Sequence, residues 1–193
     1  MASAENMEFI ILAWYMLIET QSPLLVGFYS ALRFCGPLFA PFFGIIVDKY
    51  DRKKLLLISR SVFLGVAVLI LLLSLLGYLN TWYVLILTSV GGMGKSFDNV
   101  IKETLLADLV SPTSLPNAVA LTRSSRDGTH ILAPIIGGYL LDRVGLSSTY
   151  ILVTALHSCS IFFASRVNYL NRNMALRRGD SIIKNLKDSL FYA

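Results

Sequence analysis

Charged side chains inside long apolar stretches are the residues of this 193-residue sequence best placed to do chemistry. Lys95, Asp98, Asn99 and Lys102 fall at i, i+3, i+4 and i+7, and Arg123, Arg126, Asp127 and His130 repeat that spacing, so each quartet occupies one helical face. A charge at bilayer depth costs at least ~2.5 kcal/mol even on the lenient insertion scale, so it needs a partner or water. If the two helices run antiparallel about a loop near 112, Asp98 and Asp127 lie at similar depth, Lys95 is level with His130, and Asn99 with Arg126. One expectation is a hydrated cavity in which Asp98 or Asp127 exchanges a proton as its basic partner shifts. The other is a fixed ion-pair network that only neutralises Lys95, Arg126 and His130. Both readings stay open at this point.

The remaining polar residues are less telling. His157 stands alone in an apolar segment, where an interhelical hydrogen bond is the expected role rather than a proton relay. Arg33 precedes Gly36, Pro37 and Pro41 in a proline-broken segment, a suitable place for a cavity or gate because irregular backbone survives only away from lipid. Cys35 and Cys159 lie in apolar runs and read as small hydrophobes, so neither a disulfide nor a metal site is expected. Gly91, Gly92, Gly94, Lys95 and Ser96 imitate a phosphate-binding loop, but Ser89 occupies the position of its first glycine, and close helix packing is the better use of the glycines. No nucleophile, oxyanion device or metal-ligand spacing supports an enzyme, and no cofactor is expected.

The elements that must position these residues are membrane spans. The chain is 55% hydrophobic and 15% charged with mean hydropathy +0.64, which excludes an ordinary soluble domain. Residues 61–94 and 144–165 contain no Asp, Glu, Lys or Arg, and each run is long enough to cross the ~30 Å hydrocarbon core. Five segments reach spanning length, at 24–47, 55–79, 82–109, 116–141 and 146–168, preceded by a short one at 9–18 that is too brief to cross alone. The expected architecture is therefore an all-α polytopic bundle over 1–169. No Lys or Arg precedes Arg33, so the positive start of a cleaved signal peptide is absent.

Loop 48–54 carries four basic residues and the tail from Arg166 carries six, whereas 19–23 and 77–83 carry none. The positive-inside rule puts 48–54, 111–114 and the tail in the cytoplasm, and it accounts for the net charge of +5 without nucleic acid. Residues 170–193 read as a basic amphipathic segment on the inner leaflet, with Ile182, Ile183, Leu186 and Leu190 at helical spacing.

Gly44-Ile45-Ile46-Val47-Asp48-Lys49-Tyr50-Asp51-Arg52-Lys53-Lys54 resembles the signature between the second and third helices of the major facilitator superfamily, with Lys49 for the commoner arginine and Asp51 for the commoner glycine. Asp108-Leu109-Val110 through Asn117-Ala118 and on to Leu121, followed by Ala133-Pro134-Ile135-Ile136-Gly137-Gly138, is similar to the branch of enterobactin exporters and macrolide efflux pumps. There Ala133 replaces a glycine, and His130 stands where arginine is frequent. The resemblance covers residues 9–193 and implies the N-terminal six-helix half of a twelve-helix fold, with a shortened first helix. It implies a cytoplasmic gate in which Asp48 and Arg52 make and break ion pairs, Gly44, Lys49 and Lys53 completing the motif, and a packing motif of Pro134, Gly137 and Gly138.

The function implied is secondary active efflux of a small amphipathic molecule, such as a drug or siderophore, against proton influx across the cell membrane. The missing C-terminal half, or a second half-transporter, is the implied protein partner, with the lipid bilayer around both. A non-transporting truncated protein or partner subunit is the alternative. Nucleotide use through Gly94-Lys95-Ser96 is a distant third.

Overall fold

The computed structural model describes residues 1–111 and 113–166, without the side chains of Asp48 and Asp108. The basic segment expected at 170–193 lies outside the described residues. The described backbone is helical, with α1 (Ala2–Thr20), α2 (Pro23–Arg33), α3 (Ala40–Lys49), α4 (Arg52–Leu75), α5 (Thr81–Leu109) and α6 (Leu115–Arg166). Among the described residues, three stretches are long and apolar enough to cross a membrane: Pro23–Val47, Arg52–Leu75 and Leu115–Arg166. The polar residues of α1 (Glu5, Asn6, Glu8) and of α5 (Lys95, Asp98, Lys102) set those two helices apart from the rest.

Local chemistry sets the helix limits. Gln21, at φ 48°, closes α1 in the left-handed conformation, and its N–H donates to the Leu17 carbonyl. Pro23 opens α2, where a missing N–H costs nothing. Gly36 and Pro37 then break the span into a 3-10 turn, Gly36–Phe39, before α3 resumes with Pro41 in its first turn. Asp51 caps α4 by accepting from the N–H groups of Lys53, at 2.8 Å, and Lys54, at 3.3 Å. An acid in place of the signature's glycine therefore has a structural use here.

The stretch 115–166 is continuous helix except at Gly145, whose φ of 79° and ψ of 177° are open essentially to glycine alone. The chain folds back there. Gly137 and Tyr150 are thirteen positions apart, about 20 Å along a straight helix, yet they meet adjacent residues of α1. A Cβ on Gly137 would lie 3.3 Å from Met7 Cα, and Tyr150 reaches Glu8. The second arm, 146–166, runs antiparallel to α4, since Ser147 bonds Ser74 near one end and Ser160 bonds Arg60 near the other.

α1 is the axis of this bundle. Ala4, Met7, Ile11, Leu12 and Met16 join Tyr29, Ala67, Ile70, Val84, Ala133, Tyr150 and Val153 in the main core. A smaller cluster of Val47, Leu55, Leu56, Ile101 and Ala164 closes the end beside loop 48–54. The expectation of a ten-residue first helix is thereby corrected: α1 has 19 residues, and Glu5, Asn6 and Glu8 are buried within it rather than flanking it. The apolar stripe simply continues upstream of Phe9 through Met7 and Ala4.

Candidate functional site

Ionisable groups, buried or half-buried, converge where α1, α2, α4, α5 and the second arm of α6 meet. Lys95 Nζ lies 3.6 Å from Glu5 Oε2, joining α5 to α1. Arg33 donates through Nη2 to the Glu5 carbonyl and rests over the Phe9 ring at 4.8 Å, which ties the last turn of α2 to α1. Glu8 accepts from Tyr150 Oη at 3.1 Å, and its other oxygen is 3.9 Å from His157 Nε2. Tyr29, also buried, donates to the Phe9 carbonyl. One step toward loop 48–54, Asp98 pairs with Lys102 one turn along α5 and with Arg60 of α4 at 3.8 Å, while Arg60 donates to the carbonyl and hydroxyl of Ser160.

Small residues allow this convergence. A Cβ on Gly92 would lie 2.8 Å from the Arg33 carbonyl oxygen and 2.9 Å from that of Leu32, so α5 crosses the end of α2 in backbone contact. Gly94 faces the Phe63 ring at 3.3 Å, whereas Gly91 has open space. The glycine-rich run that imitates a phosphate loop lies inside a continuous helix and serves as this crossing point.

Glu5, Glu8, Arg33 and Lys95 line a cavity of about 20 Å³, together with Phe63, Thr88 and Gly92. That is room for about one water molecule, against ~300 Å³ or more for a drug-sized ligand. The cavity is too small to enclose an amphipathic substrate.

The structure divides the two expected quartets. Lys95, Asp98 and Lys102 are engaged in the interior as described, with Asn99 half-buried. Asp127 and His130 are exposed on the first arm of α6 and Arg126 is half-buried; the levels of Lys95 with His130 and Asn99 with Arg126 do not become contacts, because α5 and α6 barely touch. The polar face of α5 turns to α1 and α4 instead. Pro134, inside α6, has no N–H for the His130 carbonyl. Gly137 is the glycine of its motif that meets α1, and Gly138 has open space around it.

In the signature, Arg52 is buried and donates to the Thr104 carbonyl at 3.2 Å, bridging α4 to α5. Gly44 is half-buried with open space, Lys49 is exposed and Lys53 half-buried. The Asp48 side chain lies outside the described ones. Cys35 donates to the Leu32 carbonyl, and Cys159 is exposed rather than buried.

Glu5, Glu8 and Arg60 escape sequence reasoning, and the interhelical hydrogen bond expected of His157 is not made at Nε2, which lies 3.9 Å from Glu8 without a hydrogen-bond partner. Glu5 and Glu8 sit near the first residue, where charges resemble an interfacial flank, yet their spacing of three on the same side as Ala4 and Met7 marks an inward face.

A family model described as transmembrane secretion effector matches residues 6–193. The chain is similar to macrolide efflux protein A of Streptococcus pyogenes, 22% identical over 128 residues that cover 66% of this chain and 32% of that protein. It is also similar to multidrug resistance protein MdtG of Dickeya zeae strain Ech586, 31% identical over 112 residues that cover 58% of this chain and 26% of that one. The matched stretch is under a third of the length of each relative.

Proposed function

We propose, for a chain that belongs to the transmembrane secretion effector family of the major facilitator superfamily, that it forms the N-terminal six-span half of a secondary active exporter. The cargo is a small amphipathic molecule such as a drug or siderophore, moved outward across the cell membrane against proton influx. In this reading α1, the broken span α2–α3, α4, α5 and the two arms of α6 are the six spans, with loop 48–54 and the tail in the cytoplasm. The relatives named for macrolide efflux and multidrug resistance support the class of cargo.

The observation that carries the proposal is the charged seam in which buried Glu5 and Asp98 meet half-buried Lys95, Lys102 and Arg60. Such groups are costly at bilayer depth and mark a pathway by default. Asp98, 1% exposed between two cations, is a candidate proton carrier. Asp127 and His130, exposed beside Ile131 and Leu132, do not suit a lipid face, so we assign them with Arg126 to the cavity shared with a second half. A cavity within this half that holds about one water agrees with a substrate site between halves.

Asp48 and Arg52 form the gate in this reading, with Gly44, Lys49 and Lys53 shaping its loop. The test joins the chain to the C-terminal half of a family member and measures efflux of a fluorescent amphiphile alongside membrane insertion. Asp48→Asn or Arg52→Gln abolishes efflux while insertion persists; unchanged efflux removes the gate role. If the joined protein inserts but exports nothing from a panel of amphiphiles, the alternative of a non-transporting partner subunit takes over.

A further inference from the structure

We propose that Glu8 and His157 form a proton-binding pair that fastens the second arm of α6 to α1. His157 is 1% exposed, and its Nε2 has no hydrogen-bond partner at 3.9 Å from Glu8 Oε2. That separation is about 0.7 Å beyond hydrogen-bond reach, and a buried nitrogen left unsatisfied is costly. The surroundings hold the two groups face to face. Tyr150 donates to the other Glu8 oxygen, and Phe63 stacks on the imidazole at 5.9 Å with planes 3° apart.

One proton taken from water onto Nε2 takes the pair from a net charge of −1 to 0 and turns the contact into a charge-assisted hydrogen bond. The arm carrying His157 then closes on α1 by about 1 Å, and loss of the proton releases it.

The groups around the pair are Glu5 on α1, Tyr29 and Arg33 on α2, Lys95 on α5 and Tyr150 on α6, with Arg60 of α4 held one turn along from His157 at Ser160. Lys95 is committed to Glu5, and Arg60 to Asp98 and Ser160, so neither supplies a hydrogen bond to Glu8. Arg33 spends its Nη2 on the Glu5 carbonyl and opposes the added proton only through its charge. It does so from the last turn of α2, beside the 3-10 break.

The transport role of the pair rests on the exporter reading, whereas its proton binding does not. The chain has two histidines, so His130→Asn in the full chain, labelled with 15N-histidine and placed in lipid bilayers, leaves His157 as the one histidine signal in solid-state NMR. On acidification both ring nitrogens of His157 become protonated. Glu8→Gln weakens that proton's binding about tenfold or more by removing the facing charge, and Tyr150→Phe, which removes a competing donor to Glu8, does not weaken it. Equal proton binding in the parent and Glu8→Gln overturns the pair, as does an equal weakening by Tyr150→Phe, which would mark a general packing effect. Efflux by the completed transporter is measured separately, so that absent export with the expected His157 titration counts against the exporter reading and leaves the pair standing.

Discussion

Gly92→Ala sets two known effects against each other at one position. Alanine favours helix over glycine by about 1 kcal/mol, so the change is stabilising wherever space permits. At Gly92 it does not, because the new Cβ falls 2.8 Å from one backbone oxygen and 2.9 Å from another, while ordinary contact begins at 3.4 Å. Backbone cannot swing aside as a side chain can, so α5 and the end of α2 must part by about 0.6 Å, at an overpacking cost of ~1–3 kcal/mol. Gly91→Ala supplies the control, since the same propensity gain comes there with nothing within 4 Å. The difference between the two variants isolates the crossing, with Gly92→Ala less stable by about 1–3 kcal/mol. Reversible unfolding in mixed micelles of a mild detergent and dodecyl sulfate measures both. If Gly92→Ala matches or exceeds Gly91→Ala in stability, α5 does not cross α2 in backbone contact.

Two further substitutions test the interior and the cap. Glu5→Gln strands Lys95, whose side chain keeps a quarter of its exposure, and costs about 2 kcal/mol in the same assay, below the value for a fully buried pair. Adding Lys95→Met to Glu5→Gln recovers most of that loss; a purely additive double variant shows that the pair does not interact. Asp51→Ala removes the acceptor for the Lys53 and Lys54 N–H groups and lowers stability by about 1 kcal/mol, with no change if water replaces the cap without loss.

The pattern of helices, turns and breaks can be read from the residues, because its causes are local. Pro37 and Pro41 mark the broken span, and the uncharged runs mark α4 and the second arm of α6. Spacing also places Lys95, Asp98 and Lys102 on one face of α5. It does not say which neighbour that face meets. An antiparallel hairpin of α5 with the first arm of α6 is the simplest guess from a short loop, but the glycines at 92 and 94 draw α5 against α2 and α4, and the acids of α1 meet the exposed flank of that crossing. Arg60, a single charge at the edge of an uncharged run, offers no periodic partner in sequence, and its partners Asp98 and Ser160 lie on two other helices.

Gly145 joins two helical arms with a single residue and no loop between them. The joint has no slack, so a tilt of one arm is transmitted to the other through covalent geometry alone. That also fixes where foreign sequence is tolerated. An epitope tag or fluorescent protein placed at Gly145 would pry apart both surfaces that clasp α1, whereas the exposed turn at Gly77 and Tyr78 can accept one. Labelling at that turn is the way to follow the chain in living membranes without altering what it holds together.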